Sequence, residues 1–238
     1  MFWFMEGTCL LPTFLVIWPS STFIVSYLIA LFKHDVDIIF PYISDTGAKP
    51  PESCIFGLMT IITVFAGIAT MFARYKFVEE LIENSVGVSP NLNKAAFWIG
   101  NLSCLGMCLV ATFQETTITV VHDIGAVLFF VTGVLYTILQ SIISYMAYPC
   151  GCSLALCRIR TAIAAIAFLA ALPTFICAFF VTQTKLHRTT EDKDYIYHLV
   201  SAVFEWIMAF SFIFYFFTYI QEFQKFNLKL RIEFVDYS

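Results

Sequence analysis

Apolar residues in this chain come in long unbroken runs rather than at alternate or every-third positions. Six such runs, 9–32, 54–73, 95–113, 120–143, 159–181 and 197–220, are each bounded by charges, prolines or polar clusters. A helix needs about 20 mostly apolar residues to cross ~30 Å of hydrocarbon, and each run is of that order. Lipid offers no partner to backbone N–H and C=O groups, which requires helices, since barrel strands would be shorter and alternating. The pattern predicts an all-α, polytopic membrane protein, one bundle of six transmembrane helices filling residues 1–238. The first run is read as a retained span and not a secretory signal, because MFWFMEGTC has no basic segment and Pro12 and Pro19 interrupt the apolar stretch.

Composition agrees. The chain is 60% hydrophobic and 13% charged, against about 45–50% and about 25% for soluble domains. A net charge of −4 with no basic stripe gives no footprint for nucleic acid. An even number of spans puts both termini on one side of the membrane. Lys and Arg number eight on that side (Arg74, Lys76, Lys94, Arg158, Arg160, Lys225, Lys229, Arg231) and five on the other, which predicts cytosolic termini. Trp3, Trp18, Trp98 and Trp206 include candidate interface anchors. Asn101-Leu102-Ser103 is a glycosylation match inside a span, where no glycosylating enzyme reaches it.

Eight cysteines form no pair in the proposed luminal loops. Cys150, Cys152 and Cys157 crowd one proposed cytosolic loop, where palmitoylation beside the membrane is one reading and unmodified thiols the other. Three cysteines without a nearby histidine make a poor zinc site, so no metal and no cofactor is expected.

Ionisable residues within spans are costly and mark function by default. His122 and Asp123 open the fourth span, His198 opens the sixth, and Glu205 lies deeper in it. His198, Ser201, Ala202 and Glu205 recur at i, i+3, i+4 and i+7, one helix face. His122, Asp123, His198, Ser201 and Glu205 are therefore the candidate binding cluster, at the end opposite the termini. The bland alternatives are a helix-dipole contact for Asp123 and a helix-locking hydrogen bond for Glu205.

Between the first two spans runs PYISDTGAKPPES, residues 41–53. Ser44, Asp45, Thr46 and Gly47 read as a tight turn, Pro50 and Pro51 as a helix start, and Glu52 as a carboxylate at a helix N-terminus. With Pro41, these residues predict a rigid luminal turn over the polar cluster. Gly100, Gly106, Gly125, Gly133 and TAIAAIAFLAALP suit close helix packing, and Pro173 predicts a kink in the fifth span. There is no phosphate loop, nucleophile elbow or H-E-x-x-H. A membrane hydrolase holding zinc with His122, Asp123 and His198 is the enzymatic alternative, and the expectation is a protein that is not an enzyme.

FPYISDTGAKPPES (40–53), MFARYK (71–76), FQET (113–116), HDIGA (122–126), LQSIISY (139–145), DKDYIYHLVSAVFEW (192–206) and FIFYFFTYIQEFQ (212–224) appear in order. Together they resemble the damage-regulated autophagy modulator (DRAM) family, within the Frag/DRAM/transmembrane-150-like superfamily, over nearly the whole chain. The resemblance implies a six-span lysosomal membrane protein that promotes autophagy and stress-linked apoptosis, with membrane lipids and other membrane proteins of that system as partners. Binding in the membrane is the expected molecular step. Proton-coupled or facilitative small-solute transport is the alternative, and lipid remodelling a third, by analogy with superfamily members linked to glycosylphosphatidylinositol anchors. Two departures stand out: Thr112 replaces the Asn usual before Phe-Gln, and the tail lacks the acidic dileucine of a longer relative. Tyr75-Lys76-Phe77-Val78 fits a tyrosine-based sorting pattern.

Overall fold

The computed structural model describes residues 7–228 apart from 85 and 183. Trp3, Lys229 and Arg231 lie outside the described residues. Six long helices carry the chain: α1 (Leu10–Phe32), α2 (Glu52–Glu83), α3 (Pro90–Thr112), α4 (Thr119–Met146), α5 (Leu154–Phe179) and α6 (Tyr195–Phe217). A single turn, α7 (Ile220–Phe223), follows. All six are long and apolar enough to cross a membrane, and no strand occurs among the described residues.

The helices form a closed ring in chain order, with α6 returning to α1 and each packed antiparallel on its neighbours. The α3–α4 and α5–α6 pairs pack most extensively, and small residues are the reason. A Cβ on Gly125 would lie 3.0 Å from Gly106 O and 2.6 Å from Leu109 Cβ, so the two backbones touch only because both positions lack side chains. Ser103 Oγ also donates to Phe129 O across this seam at 2.8 Å. On α5 the inward face is Ala164, Ala167, Ala170 and Ala171, all buried. Pro19 and Pro173 sit inside α1 and α5, each of which runs through as one helix.

Helix ends follow local chemistry. Pro90 takes the first position of α3 after extended Ser89, and Ser153 caps α5 by accepting from Leu156 N at 3.2 Å. α2 continues ten residues past Ala73, to Glu83, because the charged residues that end its apolar run are good helix formers. Tyr75–Val78 is therefore helical, with Val78 fully buried, and does not present an extended sorting peptide.

The termini end holds the largest departure from expectation. Arg74 and Arg160, counted in the sequence among the cations of the termini side, are buried inside the bundle at 1% and 0% exposure. Both grip Glu222 of α7, Arg74 Nη1 at 2.7 Å and Arg160 Nη2 at 2.8 Å. Arg74 Nε donates to Gln140 Oε1 at 3.1 Å, Arg160 Nε to Thr218 Oγ1 at 2.9 Å, and Arg160 Nη1 to Ser144 Oγ at 2.8 Å. The Tyr219 ring lies against both guanidiniums, 5.2 and 4.7 Å from their carbons. This lock ties α2, α4, α5, α6 and α7 together. Removing these two paired arginines leaves little Lys/Arg asymmetry between the two ends.

Candidate functional site

At the opposite end, the α1–α2 loop does not arch over the bundle but enters it. Pro41, Ile43, Asp45, Thr46, Gly47 and Ala48 are buried, and the 3-10 turn Asp45–Gly47 forms the tip of a plug. α1, α2, α6 and the α3–α4 loop all hold it. Thr46 Oγ1 bonds Ser26 Oγ of α1 at 2.9 Å and donates to Ile43 O at 2.7 Å. Trp206 Nε1 of α6 donates to Pro41 O at 2.9 Å, and Ser44 Oγ to Glu115 Oε2 in the α3–α4 loop at 3.0 Å. A Cβ on Gly47 would lie 2.7 Å from Phe56 Cβ, so only glycine lets the turn close against α2. Glu52 opens α2 as a fully buried carboxylate. It faces the positive end of its own helix.

The candidate cluster forms around this plug in altered membership. Glu205, buried within α6, accepts from Ile43 N at 3.3 Å and thereby holds the plug from below. His198 places Nε2 3.8 Å from Asp45 Oδ2, and its ring meets Tyr42 edge-on with centroids 4.6 Å apart. His122 is buried on α4, its Nδ1 donating to Phe113 O at 2.7 Å. Ser201 is also buried, but it donates to Thr174 O at 2.9 Å and so staples α6 to α5. Asp123 does not join: it is exposed. Successive helical residues point about 100° apart, so an inward His122 turns Asp123 outward. Its place is taken by Glu115, which periodicity could not reveal because it lies between helices; the FQET stretch around it was the available signal. Among the described residues, no three His, Cys, Asp or Glu side chains are arranged to hold a metal ion.

Asp45 of the plug and Glu115 beside it, both outside the spans, are hard to ionise. Burial pushes Asp45 up to about 7, against the pull of its bond from Tyr42 N at 3.2 Å. Burial, with Asp45 nearby, likewise raises Glu115 to about 7. Beneath the plug lies a mostly apolar cavity of about 70 Å³ with Ser44, His122 and Glu205 at its upper end. A second of about 80 Å³ continues it toward Tyr136, sharing Pro19, Phe23, Thr63, Met107, Phe129 and Ala209 as walls. The Tyr136 hydroxyl meets that of Tyr219 at 3.1 Å, joining this column to the arginine lock.

Of the three loop cysteines, only Cys150 is exposed. Cys152 and Cys157 are buried with their sulfurs 3.1 Å apart and both directed at Ser144 O. An acyltransferase can therefore reach Cys150 alone. Trp18 and Trp206 tie elements together through their indole N–H groups, Trp18 donating to Met59 O at 2.9 Å, whereas Trp98 is exposed.

These features define an integral membrane bundle of six spans, locked by buried charge at one end and plugged by its own loop at the other. The Frag1/DRAM/Sfk1/Cwh43P N-terminal domain matches residues 7–226, and the chain belongs to this family. It is 48% identical over 236 residues to mouse DNA damage-regulated autophagy modulator protein 1, covering 99% of both chains. It is 46% identical to the human protein of that name, covering 98% of each. To mouse DNA damage-regulated autophagy modulator protein 2 it is 43% identical over 97% of this chain and 89% of that one. No solved structure matches.

Proposed function

We propose that this protein is a non-enzymatic regulator in the lysosomal membrane that promotes autophagy and stress-linked apoptosis, and that it acts by binding within the membrane under control of its plug. Near-full-length similarity to proteins named autophagy modulators supports the role. The molecular part is carried by one observation: loop 41–48 is packed into the bundle mouth with Asp45, Glu115 and Glu205 around it. Neutral carboxyls let the plug stay seated. Ionised ones are desolvated and repel one another, so charging them expels the loop and opens the space above Glu205 to a lipid or a partner helix. With cytosolic termini, an acidic lumen keeps the plug in and loss of acidity releases it.

The test is autophagic flux in cells lacking the protein, re-expressing wild type or Asp45→Asn/Glu115→Gln, before and after luminal neutralisation. Wild type responds, and the neutralised plug does not. A response identical to wild type, at equal abundance and location, rejects the plug as control element. One feature favours a second reading, proton-coupled transport of a small solute. The two cavities form one column running from the plug toward Tyr136, whose hydroxyl meets that of Tyr219 beside the Arg74–Glu222–Arg160 lock, a path between the two ends of the bundle. That reading requires solute uptake into proteoliposomes along a pH gradient, abolished by Glu205→Gln.

A further inference from the structure

Beside the plug, the α1–α2 and α5–α6 loops enclose an open vestibule of about 690 Å³ lined by three of the chain's four histidines, His34, His187 and His198. Its charges are mixed. His187 Nδ1 meets Asp37 Oδ1 at 3.0 Å with both side chains about half exposed, and Asp37 Oδ2 accepts from Arg188 N at 2.6 Å. The Arg188 guanidinium pairs with Asp194 at 3.1 Å behind this wall.

The vestibule has an apolar edge. Its rim is Ile38, Ile39 and Phe40, which lie outside any helix yet are 79%, 61% and 50% exposed. Left-handed backbone at His34 (φ 57) and Phe40 (φ 37) brackets them, a conformation that bulky residues adopt only when surroundings impose it. Three adjacent outward apolar side chains in a membrane protein belong against lipid, which sets the vestibule at head-group level.

An apolar groove leads away from it. A hollow of about 260 Å³ between α1 and α6 shares Ile38 and Pro41 with the vestibule, and through Phe40, Trp206 and Phe210 it joins a groove of about 810 Å³ along α5 and α6 that ends near Phe217. From His198 at the vestibule to Phe210 in the hollow, α6 covers about 18 Å at 1.5 Å per residue, close to one leaflet's share of ~30 Å of hydrocarbon, and the groove beyond continues into the other half of the span. We propose that vestibule and groove together hold one zwitterionic glycerophospholipid, with its phosphate beside His34 and His187, its amine beside Asp37 and one acyl chain along α6. This deepens the reading that the protein binds within the membrane and rests on it, but it requires no movement of the plug.

Trp206 sits at the junction and reports occupancy. In the variant with Trp3, Trp18 and Trp98 changed to Phe, reconstituted in phosphatidylglycerol vesicles, which lack the zwitterionic head group, phosphatidylethanolamine brominated on its acyl chains should quench Trp206 at a mole fraction about tenfold below that needed with brominated diacylglycerol. His34→Glu and, separately, His187→Glu should each erase this preference; His34 is exposed at the loop surface, so at least one variant keeps the fold. Quenching that follows the bulk mole fraction, or is equal for the two bromolipids, overturns the proposal. Displacement by inorganic phosphate or soluble glycerophosphoethanolamine overturns it in favour of a free phosphate ligand. Preferential quenching combined with unaltered autophagic flux in His34→Glu cells would leave the lipid site standing and reject the functional reading instead.

Discussion

Asp45→Asn gives the sharpest stability prediction. The carboxyl is 4% exposed at the tip of the plug, and burial raises its pKa from 3.8 to about 7. The folded state thus holds this proton more tightly than the unfolded chain. Its stability is fully present below about pH 4, declines as pH rises through the interval up to about 7, and is level above that. A shift of about 3 at 1.36 kcal/mol per unit amounts to ~4 kcal/mol, of which about 3 kcal/mol falls between about pH 5 and about pH 7.5. Asparagine keeps the shape and removes the titration. Thermal unfolding in detergent at those two pH values should show wild type losing stability relative to Asp45→Asn on going to the higher one, whatever the other buried groups of the site contribute to both proteins. Equal pH dependence in the two proteins would refute the argument that Asp45 is buried neutral.

The other predictions concern the rest of the bundle. Glu222→Gln leaves two buried guanidiniums facing each other without their anion, a loss of about 3–5 kcal/mol that should appear as a collapse in monodisperse yield on size exclusion. Gly106→Ala inserts a Cβ into the backbone of α4 and should cost about 1–3 kcal/mol, measured as a lowered melting temperature. In the native protein a maleimide should label exposed Cys54 and Cys150 quickly and leave Cys152 and Cys157 unlabelled until denaturation, read by peptide mass spectrometry.

The fold was legible because a span demands only length and apolarity, and hydrophobic runs record both. The contents of the bundle were legible only where a single helix carries them. His198, Ser201 and Glu205 share a face by periodicity, and the structure keeps them inside. Asp123 was misassigned because adjacency in sequence means divergence on a helix, and Glu115 was missed because its loop has no period to read. Arg74 and Arg160 look like cytosolic charges until Glu222 is brought to them, and that partner lies 148 residues from Arg74 and 62 from Arg160. The stretch PYISDTGAKPPES announces a turn through its residue types. That the turn is inserted rather than perched depends on Ser26, Trp206 and Glu205, which arrive from two other helices.

Plug movement is the central claim, and the contact between Ser26 Oγ and Thr46 Oγ1 at 2.9 Å offers a way to stop it. Ser26→Cys/Thr46→Cys, oxidised to a disulfide, should fasten the loop to α1 without altering any ionisable group. Autophagic flux should then be unresponsive to luminal neutralisation while the bond is intact and should recover on reduction. A locked plug that supports the full wild-type response would contradict the account.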